Sequence, residues 1–206
     1  MPQLQEAERL EELATQVRSC VQCSLHASRT LAVPGDGTPS AKVMLIGEAP
    51  GREEDQCGQP FVGAAGRFLD QMLAGSGVDR GDLFITNVVK CRPEKNRTPR
   101  KLEVDTCASL YLSEQIEQVQ PELIMVLGSV AAKKLLGVHS VHEARGRVIE
   151  YQIRKYLVGY HPDASFYRDD IAEYVRQDFQ LLRQEIQKLS PPPAAVHGQS
   201  VITSPS

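Results

Sequence analysis

Tryptophan is absent from the 206 residues, and aromatic side chains make up only 5% of them. With so few rings available, any aromatic outside the core periodicity is a candidate for a specific contact. Long apolar runs are missing too. No stretch approaches the ~18 residues that a membrane span requires. The opening MPQLQEAERLEELATQ carries acids and no apolar core, unlike a secretory leader. The expectation is a cytoplasmic protein with no membrane partner. Neither sign of charge dominates: 23 Lys and Arg against 26 Asp and Glu leave a net charge of −3. That excludes the general basicity of many nucleic-acid binders, but not a local basic surface. With 41% hydrophobic and 24% charged residues, disorder throughout is excluded. A chain of this length buries enough surface to fold without disulfides or metal.

Periodicity divides the chain. Residues 4–18 read as an amphipathic helix, followed by a polar loop holding Cys20 and Cys23. Residues 42–47 (KVMLIG) form a short buried strand, and the Gly- and Pro-bearing stretch 48–63 is irregular. A helix is predicted over 64–75, a strand over 83–89, a basic loop over 90–101, and a helix from Pro99 to about Val119. A strand at 122–127 leads into a helix at 129–136. Residues 147–153 and 155–160 form a hairpin, or an edge strand beside a fourth core strand, and a last helix spans 170–189. Strands alternating with helices predict an α/β fold, a parallel sheet covered on both faces. Ligands in such sheets sit beyond the carboxyl ends of the strands. Residues 1–189 read as one domain, and the Pro/Ser-rich 190–206 as a disordered tail.

Five cysteines in a reducing compartment point to ligands or free thiols rather than disulfides. Cys20 and Cys23 have the CxxC spacing that lets two thiolates grip one centre. Cys91 and Cys107 flank the basic loop and the start of a helix. Four thiolates satisfy either tetrahedral zinc or a 4Fe–4S cluster. The wide second pair leans toward the cluster, and Cys57 reads as a free thiol. The basic loop sets six cations (Lys90, Arg92, Lys95, Arg97, Arg100 and Lys101) against Glu94 alone. A phosphate-facing surface beside a site accounts for it, as does a solvated loop.

The remaining candidates close strands or begin loops. Glu48 lies in GEAPG (47–51), where Pro and Gly force a turn that exposes backbone N–H groups above the sheet. This motif lacks the GxGxxG spacing and the GKS or GKT ending of nucleotide-binding loops. Phe61, between Pro60 and Val62-Gly63, is either a core plug or a face for a planar ligand. Asn87 ends the second strand, where an amide donates and accepts side by side, as reading a base edge requires. His161 precedes Pro162, which marks a turn after the last core strand.

Taken together, CxxC at Cys20 and Cys23, GEAPG at 47–51, GQPFVGAAG at 58–66, TNVVKCRP at 86–93, Cys107 and YHP at 160–162 resemble the family 4 uracil-DNA glycosylases. These form the iron–sulfur branch of the uracil-DNA glycosylase superfamily. The sister branch with a long basic insertion after the TN strand fits worse, because Lys90 runs straight into Cys91-Arg92-Pro93. The branch without an acid in the first motif fits worse because Glu48 is present. The resemblance implies a three-layer α/β/α sandwich with a mainly parallel four-stranded sheet. It also implies a 4Fe–4S cluster on Cys20, Cys23, Cys91 and Cys107, and a monomer that excises uracil from single- or double-stranded DNA.

In that reading Phe61 stacks on the flipped base and Asn87 bonds its N3–H/O4 edge. His161 donates to O2, and Glu48, with the backbone at Ala49, positions water. Glu54 shapes the pocket near the base C5 edge, or is simply a solvated acid. Lys90, Arg92, Lys95 and Arg97 face phosphates, and Phe166, Tyr167 and Arg168 enter or border the duplex. Asp163 departs from the Ser or Ala frequent after the HP pair in this family. The alternative from another class is a non-catalytic, zinc-stabilised nucleic-acid-binding module.

Overall fold

A computed structural model describes residues 2–166 and 169–189; the side chains of residues 2–5 and 169 are outside the description. Tyr167, Arg168 and the tail at 190–206 therefore fall outside the described residues. Six strands form one sheet: β1 (Asp36–Gly37), β2 (Val43–Gly47), β3 (Leu83–Asn87), β4 (Leu123–Leu127), β5 (Val148–Tyr151) and β6 (Arg154–Gly159). Their order is β1-β3-β2-β4-β6-β5. The inner four run parallel, as expected; β1 and β5 add antiparallel edges at either side. The four-stranded expectation is thus extended by two short strands. β5 and β6 pair as a hairpin, turned by Gln152 in a left-handed conformation (φ 56°).

The inner strands read as unbroken apolar runs because both faces are covered. Their alternate residues feed two cores. Met44, Ile46, Ile124, Val126, Tyr156 and Val158 face one side, packed under α1 (Pro2–Ser19), α4 (Lys101–Cys107), α5 (Ser113–Val119) and α6 (Ser129–Leu136). Val43, Leu45, Leu123, Met125 and Leu157 face the other, under α3 (Ala64–Ser76) and α8 (Asp169–Lys188). α8 meets the sheet through Ile171, Val175, Phe179 and Leu182, whose spacing of three and four makes one apolar face.

The helix predicted from Pro99 to Val119 begins at Lys101. It runs through a π-helical turn at Ala108–Leu112 between α4 and α5. In the irregular 48–63 stretch one short helix forms, α2 (Arg52–Cys57). β3 stops at Asn87, two residues before the predicted end, but Val88 and Val89 still donate to Gly47 O (2.9 Å) and Glu48 O (3.1 Å). Among the described residues no helix is long and apolar enough to cross a membrane.

Candidate active site and cysteine centre

A cleft of about 510 Å³ opens where β2, β3 and β6 end, and Glu48, Ala49, Glu54, Phe61, Asn87 and His161 all line it. Gly47 and Asn87 are register partners at the last position of β2 and β3. Gly47 leaves no free room for a side chain: a Cβ there would lie 2.5 Å from Asn87 Oδ1 and 2.6 Å from Phe61 Cζ, so either would have to move. The glycine is what lets the amide and the ring converge over the strand end.

Phe61 is 4% exposed and adopts a left-handed φ of 52°, a strained state for a non-glycine residue. Two contacts hold it. Gly66 packs so closely that a Cβ would lie 1.9 Å from the Phe61 carbonyl oxygen. Glu54 Oε1 accepts from the backbone N–H groups of Val62 (3.0 Å) and Gly63 (2.8 Å). Glu54 is buried at 7% exposure. It is no solvated acid; its carboxylate anchors the loop that presents the ring.

Asn87 is 2% exposed, and its Oδ1 is buried without a hydrogen-bond partner. Such an atom carries a desolvation cost of about 1–3 kcal/mol until a donor reaches it. The His161 ring sits 5.8 Å from Phe61, tilted by 32°. Its Nδ1 accepts from the Asp163 backbone N–H at 3.3 Å. Burial lowers the imidazole pKa, against the opposing pull of the Asp163 and Glu54 carboxylates. Burial thus favours the neutral ring, and the Asp163 N–H on Nδ1 favours the tautomer with its proton on Nε2. Glu48 is shifted the other way: burial raises its pKa, and the Asp163 carboxylate adds to the rise.

Asp163 and Asn96 also line the cleft. Periodicity identifies neither. The available signal for Asp163 is its place after Pro162, which opens the 3₁₀ turn Pro162–Phe166 and folds the chain back under His161. Lys95 and Asn96 are both left-handed (φ 54° and 57°), and Asn96 and Arg97 reach the rim of the cleft.

The basic loop divides. Lys95 is exposed, Arg92 Nε donates to Asn96 Oδ1 (2.6 Å), and Arg97 makes a bidentate pair with Glu103 at 2.8 Å for each bond. Those bonds, with Arg100 N–H and Ser24 Oγ, hold the Glu103 carboxyl down at about 2. Lys90 overturns its expectation as a phosphate contact. It is 1% exposed, with Nζ enclosed by Thr86 Oγ1, Asn87 O and Gln115 Oε1, so no backbone phosphate can reach it. Phe166 is 51% exposed and meets Phe68 edge-on at 6.0 Å, beside the cleft's Asp163–Ala164 wall.

On the other side of the basic loop, Cys20, Cys23, Cys91 and Cys107 line one small cavity with Tyr111, Arg29 and Leu110. Cys57 is exposed and outside it. Arg29 Nη1 donates to Cys91 Sγ (3.1 Å), and the Lys90 backbone N–H to Cys107 Sγ (3.3 Å). The Gln22 N–H lies 3.5 Å from Cys20 Sγ. Burial pushes the thiols of Cys23, Cys91 and Cys107 up, Cys107 to about 11. Thiolates here need a compensating positive charge, while the N–H groups aimed at sulfur suit a thiolate ligand set. Among the described residues no group of three or more Cys, His, Asp or Glu is already arranged to hold a metal ion.

Residues 34–189 match the family described as the uracil DNA glycosylase superfamily. The type-4 uracil-DNA glycosylase of Archaeoglobus fulgidus is 39% identical over 193 residues, covering 89% of this chain and 96% of that protein. The type-4 enzyme of Sulfurisphaera tokodaii is 41% identical over 185 residues, covering 85% of this chain and 84% of its own length. The type-4 enzyme of Thermotoga maritima is 36% identical over 190 residues, 88% of this chain and 96% of that protein. A cleft at the strand ends, four cysteines set apart from it, and likeness of this extent along the same residues lead to one conclusion: the chain belongs to the uracil DNA glycosylase superfamily, in its type-4 branch.

Proposed function

We propose that the protein excises uracil from DNA by hydrolysing its N-glycosidic bond, leaving an abasic site. One observation carries the reading: Asn87, whose amide oxygen is buried without a partner, lines a cleft that also holds a neutral imidazole and a half-buried carboxylate. A base inside a duplex is out of reach, so the nucleotide is flipped out at a cost of a few kcal/mol. Phe166, exposed beside the cleft, is the described candidate for the wedge that fills the vacated stack. Arg92, Lys95 and Arg97 supply the phosphate-facing surface.

Within the cleft the base stacks on Phe61. Asn87 Oδ1 accepts from uracil N3–H, and the same amide donates to O4. Cytosine offers the reverse pattern, an acceptor at N3 and an amine at C4, and is rejected. As the glycosidic bond lengthens, negative charge grows on O2. His161 Nε2–H donates there more strongly in the transition state than in the ground state. Water attacks the sugar C1′, and Glu48 positions it and takes its proton. A carboxylate whose pKa is raised is the better base for that step. Glu54 acts through the Phe61 loop.

Cys20, Cys23, Cys91 and Cys107 are the ligand set we assign to a 4Fe–4S cluster. Four thiols line one cavity, and the wide spacing of Cys91 and Cys107 suits a cluster better than the paired knuckles of a structural zinc. Held by these four thiolates, a cluster would supply a structural tie between the N-terminal segment and the basic loop, and the hydrolysis needs no electron from it. We infer a cytoplasmic monomer, one domain over 1–189, acting on single- or double-stranded DNA. The free, unpaired cysteines suit a reducing compartment.

The test is incubation with uracil-containing and thymine-containing oligonucleotides, followed by alkali cleavage. Strand breaks confined to uracil sites are expected. DNA binding without breaks returns the non-catalytic module. Iron analysis with visible absorbance before and after reduction decides the centre; stoichiometric zinc without iron refutes the cluster.

A further inference from the structure

Among the described residues Lys90 is one of the largest side chains that is fully buried, and the only charged-type residue in that group. An enclosed side-chain amine is costly unless its N–H donors find acceptors. Here three acceptors surround Nζ: Thr86 Oγ1 at 2.6 Å, Asn87 O at 2.7 Å and Gln115 Oε1 at 2.5 Å. No carboxylate is among these partners. All three are neutral oxygens, and through them the side chain caps the end of the strand that presents the base-reading amide.

The geometry at Asn87 gives that cap a purpose. The Asn87 carbonyl and the Val88 N–H belong to one peptide plane. Lys90 Nζ holds the first, and Gly47 O accepts from the second at 2.9 Å. Both polar groups of the plane are thus fixed, and with them the direction in which the Asn87 side chain leaves the backbone. That matters because Oδ1 has no partner of its own to orient it. Lys90 is itself anchored, its backbone N–H on Cys107 Sγ (3.3 Å) and its carbonyl accepting from Val33 N–H (2.7 Å).

We propose that Lys90 is a positioning residue for base recognition: its side-chain amine clamps the Asn87 carbonyl so that the side-chain amide meets the flipped base at a fixed angle. The inference rests on the uracil-excising reading above and deepens it. It also ties the cysteine-bearing loop to the base pocket through one side chain.

A double-mutant cycle tests it, using the full chain and single-turnover excision from a uracil-containing oligonucleotide. Lys90→Met keeps length and removes the donors. It should lower the maximal rate roughly 10- to 100-fold while the half-saturating DNA concentration moves less than about threefold. Inhibition by free uracil should weaken in parallel. In an Asn87→Ala background, Lys90→Met should cost less than about a further threefold, because the group it positions is gone. Additive losses in the cycle, or Lys90→Met at wild-type rate, overturn the proposal. Cooperative thermal unfolding checks that each variant folds. If Lys90→Met does not, the cycle is run with Lys90→Gln, which retains an N–H donor of shorter reach. If neither folds, Lys90 serves the fold and the positioning role is overturned. A wild-type protein inactive on uracil refutes the functional reading itself; an active wild type with an additive cycle refutes only the role of Lys90.

Discussion

Replacing Gly47 with alanine asks how tightly the cleft is built. The new methyl would sit 2.5 Å from Asn87 Oδ1, 2.6 Å from Phe61 Cζ and 3.0 Å from Phe61 Cε2. Ordinary contacts between such atoms lie near ~3.5–4.0 Å, so about 1 Å of movement is needed. Neither neighbour yields easily. Phe61 is locked in its left-handed conformation, with Gly66 against its carbonyl and Glu54 on the next two N–H groups. The Asn87 peptide is clamped by Gly47 O and Lys90 Nζ. Overpacking of this kind costs about 1–3 kcal/mol of stability. A ~1 Å displacement of groups that touch the substrate lowers turnover about 100-fold. Gly47→Ala should therefore fold, melt several degrees lower, and excise uracil about two orders of magnitude more slowly under single-turnover conditions. Excision within threefold of wild type, with the melting loss present, would mean that ring and amide do not set the reacting geometry. No change in either measurement would mean that the contact is not tight.

Four further outcomes are expected. Asn87→Asp places a second acceptor opposite O4; uracil excision should fall sharply, by the about 1–3 kcal/mol of a good base contact or more, with faint cytosine excision emerging on a cytosine oligonucleotide. Asp163→Ala removes the carboxylate that raises both the Glu48 and the His161 pKa. The acid limb of the rate–pH profile, set by ionisation of Glu48 above its ordinary range, should move to lower pH, and Glu48→Gln should abolish that limb. Glu103, held at about 2 against an ordinary 4.5, stabilises the fold above the upper value and loses that contribution as pH falls toward the lower. Glu103→Gln should cost about 2–3 kcal/mol at pH 7 by denaturant titration, and little near pH 2. Lys95→Ala should reduce the salt dependence of DNA binding by about one phosphate contact while leaving base choice unchanged.

Much of this protein is legible in its primary structure. Apolar runs ending at Gly47, Asn87, Leu127 and Gly159 prescribe buried parallel strands, because only a sheet covered on both faces tolerates them. Ligand placement at strand ends then follows from topology, and the spacing of the glycines, Asn87, His161 and the four cysteines marks where chemistry concentrates. Local pattern does not reveal long-range partners. Lys90, in a run of cations, reads as a phosphate contact; the fold turns it inward because Thr86 and Gln115, 29 residues apart in sequence, meet beneath it. Glu54 reads as one acid of three, yet the close approach of α2 to the Val62–Gly63 backbone makes it the anchor of Phe61. Asp163 reads as a family departure, and only the turn after Pro162 brings its carboxylate to bear on Glu48 and His161. Periodicity determines which elements form, because burial is decided a few residues at a time. Which charged side chains line the cleft, and which lie buried behind it, is decided where distant segments meet, and there only the tertiary structure tells them apart.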